Sequence, residues 1–111
     1  MECLFCRLAA GEVPADIVVE TDGVLVFRDI DPKAPVHLLA IPRRHVASAA
    51  DLTDADAALV ADLFAALRSA ATAEGVSTYR IVTNVGPDAG QSVLHLHLHL
   101  LAGRQLGWPP G

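Results

Sequence analysis

Val93-Leu94-His95-Leu96-His97-Leu98-His99-Leu100-Leu101 alternates imidazole and aliphatic side chains without a break from Leu94 to Leu100. In a strand, successive side chains point to opposite faces. His95, His97 and His99 then share one face, and Leu94, Leu96, Leu98 and Leu100 the other. The leucine face stabilises a fold by burial, at roughly 25 cal/mol per Å² of apolar surface. The histidine face is spread over roughly 13 Å at about 3.3 Å per residue. It carries three of the five histidines in 111 residues and is left for another task.

Working upstream, Gly86-Pro87-Asp88-Ala89-Gly90-Gln91-Ser92 is a glycine-bearing loop that feeds the chain into this strand, and Tyr79 to Asn84 reads as a strand before it. The one long helix spans about residues 53 to 74. Thr53 is its expected N-cap, with Asp54 and Asp56 in the first turn. Leu59, Leu63, Phe64 and Leu67 form its apolar stripe, and Gly75 stands at the expected C′ position. Further upstream, His37 to Ile41 is a strand stopped by Pro42, followed by the polar turn Arg43-Arg44-His45. Asp29 to Pro35, with two prolines, is a loop. Asp16 to Glu20 and Val24 to Arg28 flank Thr21-Asp22-Gly23 and predict a hairpin. Residues 3 to 10 read as a short helix closed by Gly11, with Phe5 and Leu8 on its apolar side. Downstream of the histidines, the tail from Gly103 to Gly111 contains the chain's one tryptophan, Trp108. Antiparallel strands interrupted by one amphipathic helix give an α+β domain. The length fits one domain over 1–111.

Composition narrows the function. The chain is 52% hydrophobic, which argues against disorder, and its net charge of −5 disfavours binding along a nucleic-acid backbone. A single nucleotide remains compatible, because backbone amides and neutral side chains can hold one phosphate. No apolar run approaches the ~18 residues of a membrane span, and the N-terminus has no signal-peptide apolar region. A cytoplasmic protein is expected, in which two cysteines do not form a structural disulfide.

Three uses compete for the histidine face. It can be a solvated strand face; it can ligate zinc or copper with at least one further donor; or it can be catalytic. A neutral imidazole is a good nucleophile toward phosphorus, and a second serves as acid or hydrogen-bond donor near pH 7. Gly90, Gln91 and Ser92 at the strand's entrance favour catalysis, since they offer backbone, amide and hydroxyl donors to a phosphate or its leaving group. Cys3-x-x-Cys6 taken alone is a weak signal, because small buried thiols are common. Two thiolates with two imidazoles would nonetheless close a tetrahedral zinc site.

The run His95-Leu-His-Leu-His-Leu-Leu resembles the His-φ-His-φ-His-φφ motif of the histidine triad superfamily, most closely its Hint branch of nucleoside phosphoramidate hydrolases. The likeness extends through Phe27-x-Asp29-Ile30, Ala34-Pro35-x-His37, Ile41-Pro42-x-x-His45, Asn84-x-Gly86, Gly90-Gln91-Ser92-Val93, Gly103-Arg104-Gln105 and Trp108-Pro109-Pro110-Gly111. It implies a mainly antiparallel sheet with one long and one short N-terminal helix. It also implies a homodimer whose sheets join across the interface, with the tail from 103 to 111 at that interface or at the active-site rim.

The resemblance also implies residue roles. His97 would be the nucleophile that becomes nucleotidylated, oriented through its Nδ1–H by the carbonyl of His95. His99 would contact the phosphoryl oxygens, and Ser92 and Gln91 the phosphate and departing amine. His37 would support the array. Asn84 and Gly90 fall beside the phosphate or ribose, and Asp29 would accept the ribose hydroxyls. Phe5, Leu8, Phe27, Ile30 and Leu39 would form a purine slot. The chemistry would require no cofactor. Bacterial members resembling this chain pair the two cysteines with two histidines, which implies structural zinc on Cys3, Cys6, His45 and His95. Two other functions remain in view, a dinucleoside polyphosphate hydrolase and a nucleotide- or zinc-binding regulatory protein with little turnover.

Overall fold

The central strands alternate between two apolar faces, and that alternation assembles the molecule. The computed structural model describes residues 3–111, so the first two residues of the expected 1–111 domain lie outside it. Its elements are α1 (Leu4–Ala9), β1 (Ile17–Glu20), β2 (Val24–Arg28), β3 (Val36–Pro42), α2 (Ala57–Ala73), β4 (Arg80–Val82) and β5 (Leu98–Ala102). The strands form one sheet in the order β1-β2-β3-β5-β4, with every pairing antiparallel. The predicted α+β class holds.

Val24 and Val26 of β2, Leu38 and Ala40 of β3, and Leu98, Leu100 and Ala102 of β5 pack in one cluster with Leu63, Ala66, Leu67, Ala70 and Ala71 of α2. The intervening residues Leu25, Phe27, Leu39 and Ile41 pack instead with Phe5 and Leu8 of α1. Period-two alternation thus serves both faces at once, one under each helix. Truncating a fully buried residue such as Leu67 to Ala should cost about 2–5 kcal/mol.

The register carries the second cluster toward the histidines. Phe27 pairs with Leu39, Leu39 with His99, and His99 with Val82. Residues paired in this way stand side by side on one face. Phe27, Leu39 and His99 therefore form a row across the sheet under α1.

Several expected boundaries move. The regular strand starts at Leu98, because its antiparallel neighbours β3 and β4 pair no earlier than that residue. His95 and His97 lie in the arm leading into it. Leu94 is 68% exposed and does not join the leucine face, whereas Leu96, Leu98 and Leu100 are buried. The long helix begins at Ala57, after a 3₁₀ turn at Asp54–Asp56. Thr53 caps that turn in a reciprocal pair with Asp56. Phe64 leaves the predicted stripe and is 39% exposed. The buried side runs through Leu63, Ala66, Leu67, Ala70 and Ala71, steps of three and four that keep to one helical face. No helix among the described residues is long and apolar enough to cross a membrane.

Candidate active site

His97 is held in one tautomer by its own arm. Its Nδ1–H donates to the carbonyl of His95 at 2.7 Å, which leaves Nε2 with a free lone pair. The Phe5 ring stands edge-on to the His97 ring, with centroids 5.2 Å apart and planes at 82°. Thr83 donates its hydroxyl to the His97 carbonyl at 2.8 Å. This bond takes over where the β4–β5 ladder stops, one residue beyond the Val82–His99 pair.

His99 is set by a second chain of donors. The backbone amide of Lys33 points at Nδ1 of His37 (3.0 Å), and an amide can only donate. The proton of neutral His37 therefore sits on Nε2, 2.9 Å from Nδ1 of His99 and 3.4 Å from an oxygen of Asp29. His99 accepts on Nδ1 and carries its own proton on Nε2. Burial, reinforced by the neighbouring His97 and His37, pushes the His99 pKa down to about 4, and burial likewise lowers that of His37. Both rings are neutral at pH 7.

His97 and His99 open into a cleft of about 280 Å³ lined also by Phe5, Leu8, Phe27, Asp29, Leu39 and Ser92. Ile30 reaches only the rim, because its side chain is fully exposed. Asn84, Gly90 and Gln91 stay outside the lining. The Gln91 amide is used within its own loop: it accepts from the Gly86 N–H at 2.9 Å and donates to the carbonyls of Ala47 and Val93 at 2.7 and 3.1 Å. Asp29 is braced by the Asp31 N–H at 2.8 Å.

The comparisons with known proteins agree with this geometry. The family model described as "Scavenger mRNA decapping enzyme C-term binding" matches residues 2–107. A HIT family hydrolase from Legionella pneumophila Philadelphia 1 superposes with a TM-score of 0.96 at 51% identity, over 99% of this chain and 100% of that one. This chain belongs to the histidine triad (HIT) family. An uncharacterized HIT-like protein from Synechococcus elongatus is 46% identical over 111 residues, covering 99% of this chain and 97% of the relative. A histidine triad protein from Clostridium difficile has a TM-score of 0.92 at 39% identity, over 96% of this chain and 95% of that one.

In this histidine triad protein the first histidine of the motif faces away from the cleft's chemistry. His95 is fully buried, and its Nε2–H donates to the carbonyl of Pro42 at 2.8 Å. Its Nδ1 lone pair then meets Sγ of Cys3 at 3.4 Å and Sγ of Cys6 at 3.5 Å, while Nδ1 of His45 lies 3.3 Å from Cys6 Sγ. All four donor atoms fall within 4.8 Å of one another. Tetrahedral zinc, with bonds near 2.3 Å to sulfur and 2.0–2.1 Å to nitrogen, sets sulfur and nitrogen ligands about 3.6 Å apart. The four residues fit such an ion. Without one, burial and the Cys3 sulfur push the Cys6 thiol pKa up, and a cation would reverse that.

Asp29, His37 and His99 also bring three donor atoms within 4.8 Å. They make a poor metal cage, because a ligating histidine needs an acceptor behind its other nitrogen and His37 has the Lys33 amide there. Lys33 and Thr83 were not legible as site residues. One acts through its backbone, and the other through a strand end visible only in the folded register.

Proposed function

We propose that this histidine triad protein hydrolyses purine nucleoside 5′-monophosphoramidates, as in the Hint branch, through a nucleotidyl-His97 intermediate. The observation that carries the reading is the His97 Nδ1–H bond to the His95 carbonyl. With Nδ1–H engaged there, Nε2 is the ring nitrogen left to act as a nucleophile in a cleft that is otherwise largely apolar. Its solved relative from Legionella pneumophila is named a HIT family hydrolase.

In this reading Phe5, Leu8, Phe27 and Leu39 hold the base, and the Asp29 carboxylate accepts the ribose hydroxyls. Nε2 of His97 attacks the α-phosphorus and the phosphorus–nitrogen bond breaks. The amine leaves with the proton of the Ser92 hydroxyl, which the serine regains from the water of the second step. His99, with its proton on Nε2, hydrogen-bonds the phosphoryl oxygens. Water then cleaves the nucleotidyl–histidine bond, releasing the nucleoside monophosphate and restoring the imidazole. No metal takes part in these steps. Zinc on Cys3, Cys6, His45 and His95 would hold α1 against the arm that carries His97, a structural role. A homodimer, with Trp108 (81% exposed) packed against the partner, and a reducing cytoplasmic setting complete the reading.

A phosphoanhydride substrate is the second reading, favoured by the decapping enzyme that names the matched family model. The same Nε2 would attack, and a nucleoside phosphate would leave. Steady-state hydrolysis of an AMP–lysine phosphoramidate beside a diadenosine polyphosphate separates the two. The radiolabelled nucleotidyl group of the AMP–lysine phosphoramidate should be trapped on wild-type chain and not on His97→Ala. A chain that binds AMP yet neither turns over nor becomes labelled would be a regulatory binder instead.

A further inference from the structure

Gly103-Arg104 directly follows β5 and has no part in the reading above. Gly103 has a φ of +93°, and a Cβ placed there would lie 2.8 Å from Cβ of Pro35 and 3.5 Å from the amide nitrogen of Val36. Both the backbone conformation and the close approach demand glycine. The next residue, Arg104, donates from Nη2 to the carbonyl of Lys33 at 3.1 Å. The turn that leaves β5 is thus seated on the 31–35 loop at two points. The amide of the same Lys33 faces Nδ1 of His37.

We propose that Gly103 and Arg104 are positioning residues that clamp this loop, so that the Lys33 amide selects the tautomer of His37 and, through it, that of His99. With the amide in place, His37 carries its proton on Nε2, and His99 accepts on Nδ1 and keeps a proton on Nε2. With the amide withdrawn, the His37 proton can sit on Nδ1. Its Nε2 then becomes an acceptor, and His99 must turn its own proton toward it. His99 would meet a phosphoryl oxygen with a lone pair in place of a donor. The charged and titratable groups around the pair are Asp29, Asp31 and Lys33 at His37, and His97 and Asp29 at His99. Substitution at 103 or 104 alters none of them. The effect on turnover rests on the phosphoramidate reading; the tautomer does not.

Imidazole ¹⁵N shifts of the labelled chain at pH 7 test this directly. Wild type should show His37 and His99 protonated on Nε2. Gly103→Ala and Arg104→Gln should shift both toward the Nδ1-protonated form, with Arg104→Lys restoring part of the wild-type pattern. For the AMP–lysine phosphoramidate, kcat should fall roughly tenfold with KM little changed. Wild-type tautomers in folded Arg104→Gln would overturn the clamp, and that variant decides alone if Gly103→Ala does not fold. Wild-type chain with these tautomers but no phosphoramidate turnover would overturn the functional reading and leave the clamp standing.

Discussion

His95 and His37 are both buried histidines with one ring nitrogen held by the main chain. The main-chain group differs: a carbonyl, of Pro42, for His95 and an amide, of Lys33, for His37. A carbonyl takes the ring proton and leaves a lone pair in front, so His95 presents an unprotonated nitrogen to two thiols. An amide takes the lone pair and leaves an N–H in front, so His37 faces His99 as a donor. The same side chain, at similar burial, joins a cluster of sulfur and nitrogen donors in one region and a hydrogen-bond relay in the other. His97 repeats the His95 pattern within a single arm, with the His95 carbonyl as its acceptor. What stands behind an imidazole decides its chemistry as much as what stands before it.

The comparison breaks most sharply at the nucleophile. His97→Ala should lower phosphoramidate turnover by about 10⁴-fold or more, while metal analysis by mass spectrometry still finds zinc at the wild-type ratio. Loss of both together would mean that cage and nucleophile are one unit. The converse variant, Cys6→Ser, should lose stoichiometric zinc and unfold at lower urea. An ion at a thousandfold excess over its Kd contributes about 4 kcal/mol, so a metal-free wild-type chain with an unchanged urea midpoint would remove zinc from the cage.

Acidity probes the relay. His99 and His37 have folded pKa values below the unfolded value, 6.5. Between the two, the unfolded chain binds more protons, so stability is complete above about pH 6.5 and declines as pH falls toward 4. The urea midpoint should drop from pH 7 to pH 5, and His99→Asn should flatten that dependence. A midpoint that rises on acidification would contradict the neutral pair. The smallest effect is expected at Thr83. Thr83→Val removes the hydroxyl from the His97 carbonyl and should lower kcat only a few-fold, as for one neutral hydrogen bond of about 1 kcal/mol. Thr83→Ser should retain wild-type turnover.

Much of the architecture was legible because it depends on periodicity and punctuation. The hairpin at Asp22-Gly23, the strand halted at Pro42, α1 closed by Gly11 and the helix stop at Gly75 all follow from local backbone preference. The alternation through Leu96, Leu98 and Leu100 marked a buried face correctly. It misplaced Leu94, because alternation persists in an extended arm that has no strand beside it. Phe64 was misread because its spacing from Leu59 and Leu63 does not keep to one helical face. Gln91 was expected at the phosphate, but its amide is spent on three main-chain groups that are distant or near in sequence yet adjacent in space.

The order of residue types along the chain by itself determined the α+β class, the membership in the histidine triad family and which side chains carry titratable or ligating atoms. Tertiary structure alone decided which nitrogen holds the proton in His37, His95, His97 and His99. That choice belongs to the Pro42 carbonyl, the His95 carbonyl and the Lys33 amide. Every residue carries such groups, so they leave no mark in the sequence until the fold brings one to within about 3 Å of a ring.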